Sequence, residues 1–216
     1  MSYKFRQSIE AMSVLLTELY YLPPVSWFAL ALRHESVCLE QHEHFVKSTY
    51  RNRCYIASPE GRLRLTIPLL HGRSQRRKYA DVRISYDIPW QRIHWNSLCA
   101  CYRSSPYFEY YEEHLASFYR EKCDSLFAFN LELLKTILRL LHITVPLTFT
   151  ENYRKHAPPQ YSDYRGKPLP VSSPPYPQVF IERTGFIEEL SIVDLLFNLG
   201  PDSVLILRGS APTESE

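Results

Sequence analysis

Between residues 13 and 40 the chain reads strand, proline turn, helix, strand, and that order limits the folds open to everything after it. Ser13 to Leu19, apolar apart from Ser13, Thr17 and Glu18, reads as a short buried strand. Tyr20-Tyr21-Leu22-Pro23-Pro24 then turns the chain. Proline is well tolerated at a helix start, because its missing N–H would go unpaired there anyway. Val25 to Leu32 predicts a helix with Trp27, Phe28, Leu30 and Ala31 available to a core, and Val37 to Glu40 predicts a second strand. A strand–helix–strand unit is the building block of a parallel sheet. Ligands bind outside the carboxyl ends of such strands. Both Leu19-Tyr20-Tyr21 and the residues from Glu40 onward would sit at that end.

Downstream, Arg53 to Ala57 and Leu63 to Leu69 predict a hairpin around Ser58-Pro59-Glu60-Gly61, with Leu63, Leu65 and Ile67 on one face. His71 to Tyr79 is a basic excursion, and Asp81 to Ser85 is expected to return as a strand with Val82 and Ile84 inward. Three helices follow. Trp90 to Arg103 is expected to set Ile93, Leu98 and Tyr102 on one face, Tyr107 to Arg120 is rich in aromatics, and Leu126 to Leu141 has the clearest helical period. Ile143 to Phe149 is β-like, with Pro146 confining it to an edge or a linker. From 154 to 177 the chain is rich in Pro, Tyr and Ser, which predicts a long extended connection or lid. Gln178 to Ile181 is expected as a strand, Ser191 as the N-cap of a short helix ended by Asn198-Leu199-Gly200-Pro201, and Val204 to Leu207 as a last strand. The fold class expected is α/β: a mixed sheet with an N-terminal strand–helix–strand unit, a β-hairpin and a helical middle region, in a single domain over 1–216.

The densest polar stretch is Glu40 to Arg53, bracketed by two strand-like runs, and polar groups between core segments read as the wall of a site. Arg51 and Arg53 alternate with Asn52. A guanidinium fork binds phosphate or carboxylate at two points. Lys47, Arg51, Asn52 and Arg53 are therefore the candidate anion site, for the diphosphate of a nucleotide-sugar or the phosphate of an acyl donor. The plainer alternative is an arginine buried in an ion pair with Glu40 or Asp81. Glu40 and His94 are the candidate catalytic residues, since imidazole titrates near neutral pH. A histidine between Trp90 and Trp95 also suits simple packing. Glu40, His42 and His44 would share a strand face, a ligand set known for zinc or iron, but loop histidines packed on tyrosines explain them as well. No metal is assigned. Cys38, in an apolar strand, reads as inert core.

Composition closes off several classes. The net charge of +2 gives no field that points to nucleic acid or a membrane surface. Five cysteines without a C-x-x-C pair read as reduced thiols. Thr17 and Glu18 interrupt Ser13 to Leu22 and no run approaches the length of a transmembrane helix, so no targeting segment is expected and cytoplasmic residence is the expectation. Glycine-rich phosphate loops, a serine nucleophile elbow and a deaminase pattern are missing, and no cofactor is indicated.

Several stretches together carry a resemblance. They are Tyr-Leu-Pro-Pro-Val-Ser-Trp-Phe at 21 to 28, Glu-Gln-His-Glu-His-Phe-Val-Lys-Ser-Thr-Tyr-Arg-Asn-Arg-Cys at 40 to 54, and Leu-Thr-Ile-Pro at 65 to 68. His-Trp-Asn at 94 to 96, Ser-Pro-Tyr-Phe-Glu-Tyr-Tyr at 105 to 111 and Leu-Ser-Ile-Val-Asp-Leu-Leu-Phe-Asn-Leu-Gly-Pro-Asp-Ser at 190 to 203 complete the set. In this order they resemble the WbqC-like protein family in its Bacteroidetes form, over about Val14 to Leu207. The resemblance implies a place in lipopolysaccharide and O-antigen gene clusters, hence in surface polysaccharide biosynthesis. The corresponding expectation is a cytoplasmic transferase acting on a sugar precursor, with a non-catalytic binding or scaffold protein of the same pathway as the alternative. Many members open the first motif with His-Gln-Pro or Gln-Pro, where this chain has Leu19-Tyr20-Tyr21 before Leu22-Pro23.

Overall fold

The computed structural model describes residues 13–70 and 77–212. Strand β1 (Val14–Glu18), helix α1 (Val25–Ala31) and strand β2 (Ser36–Glu40) form the expected unit, with β1 and β2 parallel and Val14 level with Ser36. Every residue of α1 is buried, so this helix is a core element on all sides. The turn between β1 and α1 places Leu22 at φ 43°, a left-handed conformation that costs a non-glycine residue about 1 kcal/mol. Burial of Tyr21 and Leu22 in the core holds it there.

The hairpin is β3 (Arg53–Ser58) and β4 (Gly61–Thr66), antiparallel, with Gly61 at φ 105° in the turn. Residues 81–85 make no strand. A 3-10 turn over Tyr79–Asp81 leads into single bridges, Leu69 to Ile84 and Arg83 to Ser125, too isolated to form a ladder. The inward positions of Val82 and Ile84 are as expected. The basic 71–76 stretch lies outside the described residues.

Helices α2 (Trp90–Tyr102), α3 (Phe108–Arg120) and α4 (Leu126–Leu140) fill the middle. The buried face of α2 is Trp90, His94, Leu98, Cys101 and Tyr102, while Ile93 is 49% exposed. The face is set by the i, i+4, i+8 row from Trp90, and Ile93 falls off it. Strand β5 (Leu147–Phe149) is an edge, as Pro146 requires, and pairs with β2. Strand β6 (Tyr161–Asp163), within the Pro/Tyr-rich connection, pairs with β1. The main sheet is therefore parallel throughout, in the order β5-β2-β1-β6.

Strand β7 (Val171–Ser172) pairs late with β8 (Ala211–Pro212). Two C-terminal expectations fail. Gln178 is not in a strand: its side-chain amide bonds the Ile187 backbone in both directions, as a strand partner would, and the main chain turns into helix α5 (Ile181–Thr184). Helix α6 (Ile192–Leu199) begins where expected, with the Ser191 hydroxyl accepting from Val193 N–H. Val204 to Leu207 is not a strand but part of α7 (Ser203–Gly209). Leu207 is buried and Leu205 is 67% exposed. In a strand those two would share a face, and in a helix they lie on opposite sides.

Candidate functional site

In-register parallel strands sort their side chains to two faces. On one face Leu15, Val37 and Leu39 enter the main hydrophobic core. On the other, Leu16, Cys38 and Glu40 turn away from it, joined by Tyr161 from β6. Over this second face the chain from 150 to 160 borders a half-open cavity of about 300 Å³. Leu16 and Cys38 form its apolar base, Glu40 and Arg165 its charged wall, and Asn152 and Gln160 are among its polar side chains.

The register creates an electrostatic problem that defines the site. Glu18 and Glu40 end adjacent strands and stand directly opposite each other, both buried. Like charges so placed repel. Two arginines from distant parts of the chain offset them. Arg51, 2% exposed, donates from Nη2 to Glu18 Oε1 at 3.0 Å and to Glu43 Oε2 at 2.6 Å. Arg165 donates from Nη1 to Glu40 Oε2 at 2.9 Å and grips Asp163 with Nε and Nη2. Each carboxylate is further held by neutral donors. Glu18 accepts from Gly166 N–H and the Tyr20 hydroxyl, and Glu40 Oε1 accepts from His42 N–H, Glu43 N–H and the Thr150 hydroxyl. The hydrogen bonds from Arg165 hold Asp163 below the usual carboxylate range. The same pair, Asp163 first and Glu40 after it, raises Arg165. Burial pushes the half-buried Glu43 up despite the Arg51 guanidinium.

Of the candidate catalytic and anion-binding residues only Glu40 reaches this cavity, while Cys38, expected as inert core, lies in its base rather than in the main core. Arg51 is buried in an ion pair, as its plainer alternative supposed, though with Glu18 and Glu43 as partners. Asn52 turns its amide to the Ile67 carbonyl, Arg53 opens β3 half-buried with Nε lacking a partner among the described residues, and Lys47 is exposed in the turn before them. None of the four lines the cavity. His94 is 3% exposed on α2, where Nδ1 bonds the Tyr21 hydroxyl at 2.9 Å, and that hydroxyl meets Tyr119 at 2.8 Å. Burial pulls the His94 pKa down to about 4, against a bond to the Thr66 backbone, so the ring is neutral at pH 7. The strand ends at Glu40, and the alternation that would align His42 and His44 with it ends there too. Among the described residues no group of three or more His, Cys, Asp or Glu is disposed to hold a metal ion.

Sequence reasoning missed Thr150, Asn152, Arg154, Gln160, Tyr161 and Arg165. All lie in or beside the Pro/Tyr-rich connection, and a three-residue strand such as β6 carries no periodicity to announce it. The available signal was the sequence Asp163-Tyr164-Arg165, an acid and a base spaced to grip one another. Tyr20 and Tyr21 bond inward, to Glu18 and to His94.

No helix among the described residues is long and apolar enough to cross a membrane. Comparison with curated proteins and with solved structures gives no match. The description "WbqC-like protein family" matches residues 19–161, more than half of the chain, from the turn after β1 through the hairpin and the three middle helices to the start of β6. By that match, the chain belongs to the WbqC-like protein family.

Proposed function

We propose that this chain is a cytoplasmic transferase of surface-polysaccharide biosynthesis that binds a sugar precursor in the Glu40–Arg165 cavity. The observation that carries this is the cavity itself, about 300 Å³ on a face of the parallel sheet that the main core leaves free. Its size is at the lower end for small-molecule sites, and its mixture of an apolar base with a few convergent polar groups is their usual character. The family's association with O-antigen and polysaccharide gene clusters supplies the pathway. In this reading Glu40 is a fixed hydrogen-bond acceptor of the wall, and His94 holds α2 to the turn after β1 rather than acting on substrate.

One observation favours the alternative, a non-catalytic binding protein of the same pathway. Both oxygens of Glu40 are already engaged, and neither His94 nor Arg53 reaches the cavity. A screen of thermal stability against nucleotide-sugars, with and without acyl donors, separates the two. A ligand at about a hundred times its Kd adds about 2.7 kcal/mol, which for a chain of this size raises Tm by roughly 5–10 °C. A shift accompanied by a new product in mass spectrometry supports the transferase. A shift without turnover supports the binding protein, and no shift with any of these compounds removes the cavity from consideration.

A further inference from the structure

The charged wall of the cavity is poorly suited to recognise charge. Arg165 and Glu40 neutralise one another at 2.9 Å. The remaining Arg165 donors go to Asp163 and, from Nη2, to the Arg154 carbonyl, leaving a single Nη1–H. A ligand reaching this wall meets a closed pair.

Arg154 differs in every respect. It lines the same cavity, its side chain is exposed, and among the described residues its guanidinium makes no ion pair or hydrogen bond. Its main chain is nevertheless fixed, because the carbonyl accepts from the buried Arg165 at 2.9 Å. Lys155 and His156 follow it on the exposed side. The rim also carries Glu151, exposed and not paired with Arg154. Apart from Glu151 and the closed Glu40–Arg165 pair, the polar side chains that line the cavity with Arg154 are uncharged: Thr150, Asn152, Gln160 and Tyr161. A guanidinium on an anchored backbone, with its fork unspent at the rim of a cavity whose one other cation is closed in an ion pair, is suited to a phosphate.

Given the cavity as precursor site, we infer that Arg154 receives a phosphate of the bound precursor while the sugar occupies the cavity beside Tyr161. The ligand class is then a phosphate-activated sugar, and a free sugar is a poor ligand. Phosphate could be presented by a sugar 1-phosphate, by the diphosphate of a nucleotide-sugar or by an acyl carrier such as coenzyme A, and the probes must tell these apart.

Calorimetric titration of the full chain with glucose, glucose 1-phosphate, UDP-glucose, dTDP-glucose, coenzyme A and pyrophosphate provides the test, with Arg154→Ala, Asn152→Ala and Arg120→Ala as variants. Loss of a charge-assisted bond predicts that Arg154→Ala weakens the phosphate-bearing sugars by about tenfold to a hundredfold. The Tm of the free protein should not move, since Arg154 supports nothing else. Arg120, which pairs with Glu113 far along α3, should be without effect on binding. Asn152→Ala should weaken glucose and sugar phosphates alike. If Arg154→Ala binds the sugar phosphates as tightly as the unaltered chain while Asn152→Ala does not, the phosphate subsite is wrong and the cavity stands. Coenzyme A binding that alone depends on Arg154 would reassign the phosphate to an acyl donor and overturn the sugar class. If no probe binds the unaltered chain, or neither variant changes any affinity, the precursor site and the subsite fall together.

Discussion

Two buried groups titrate against each other inside this protein. Asp194 is fully enclosed in the first turn of α6, its oxygens accepting from the Tyr102 hydroxyl at 2.8 Å and the Tyr176 hydroxyl at 2.9 Å. Burial raises its pKa from 3.8 to about 6 even though those hydroxyls favour the ionised form. A raised pKa means the native state binds its proton more tightly than the unfolded chain does. That contribution to stability is complete below about pH 4 and is lost as pH rises through about 6. His94 has the opposite sign. Its pKa falls from 6.5 to about 4, so its contribution is complete above about pH 6.5 and is lost as pH falls through about 4. The shifts are about 2 units for Asp194 and about 2.5 for His94, each roughly 3 kcal/mol, and in the window between pH 4 and 6 they nearly cancel. Asp194→Asn removes one side of the balance. The stability of the unaltered chain minus that of Asp194→Asn should fall by roughly 3 kcal/mol between pH 4 and pH 7. Urea unfolding at several pH values reads this directly, and a difference that stays flat across the window would refute the linkage. Neither partner set was legible in sequence. Nothing in the spacing of Tyr102, Tyr176 and Asp194 shows that they meet.

Elements with a long period were readable and short ones were not, for a physical reason. Helix α4 presents fifteen residues with an apolar stripe, enough to define its period and its buried face together. The β1–α1–β2 unit was readable because prolines mark the helix start and both strands are buried apolar runs. Val204 to Leu207 is an aliphatic run too short to separate strand from helix, and the helix wins because the 3-10 turn at Gly200–Asp202 feeds directly into it. The stop of α6 falls within the expected Asn198-Leu199-Gly200-Pro201 stretch, with Gly200 as its cap. Gly200 has φ 54°, and a Cβ there would meet the Tyr107 ring, with Cε1 at 2.6 Å. Tyr107 is in turn held to the end of α6 by its N–H to the Phe197 carbonyl at 3.0 Å. Gly200→Ala therefore combines a disfavoured backbone with an overpacked contact and should cost roughly 2–4 kcal/mol. Gly209, at the end of α7, has open space around it, and Gly209→Ala should stay within about 0.5 kcal/mol of neutral. Thermal melts of the two variants check this, and equal effects would mean that the Tyr107 contact does not constrain the turn.

At the scale of the molecule, the stretch that matches the family ends at residue 161, but the physical unit does not. Beyond that point lie Arg165, which neutralises Glu40, and the Gly166 N–H that caps Glu18. Farther on, Leu190, Ile192, Val193, Leu195, Leu196 and Phe197 are all fully buried. The backbone is stitched as well: Val25 N–H donates to the Leu190 carbonyl, Ile192 N–H to Pro23, and Ser191 N–H to Tyr55 in the hairpin. Helix α6 thus joins the first turn to β3, and the helix that looks like an appendage in sequence order closes the core in space. The cavity has the same logic, since its wall takes Glu40 from within the matched stretch and Arg165 from beyond it. Burial of six apolar side chains at about 1.5–3 kcal/mol each amounts to roughly 9–18 kcal/mol. That is comparable with the whole stability of a typical domain, about 5–15 kcal/mol. A chain ended after Tyr161 should therefore show no cooperative melt, and its near-ultraviolet circular dichroism, dominated by the tyrosines and tryptophans of the core, should collapse. Removing only the residues after Gly209 leaves α6 and the Glu40–Arg165 pair in place and should keep a cooperative transition. A sharp melt from the shorter chain would show instead that the family-matched stretch folds alone, and Arg165 would then be a later addition to a wall that Glu40 can hold without it.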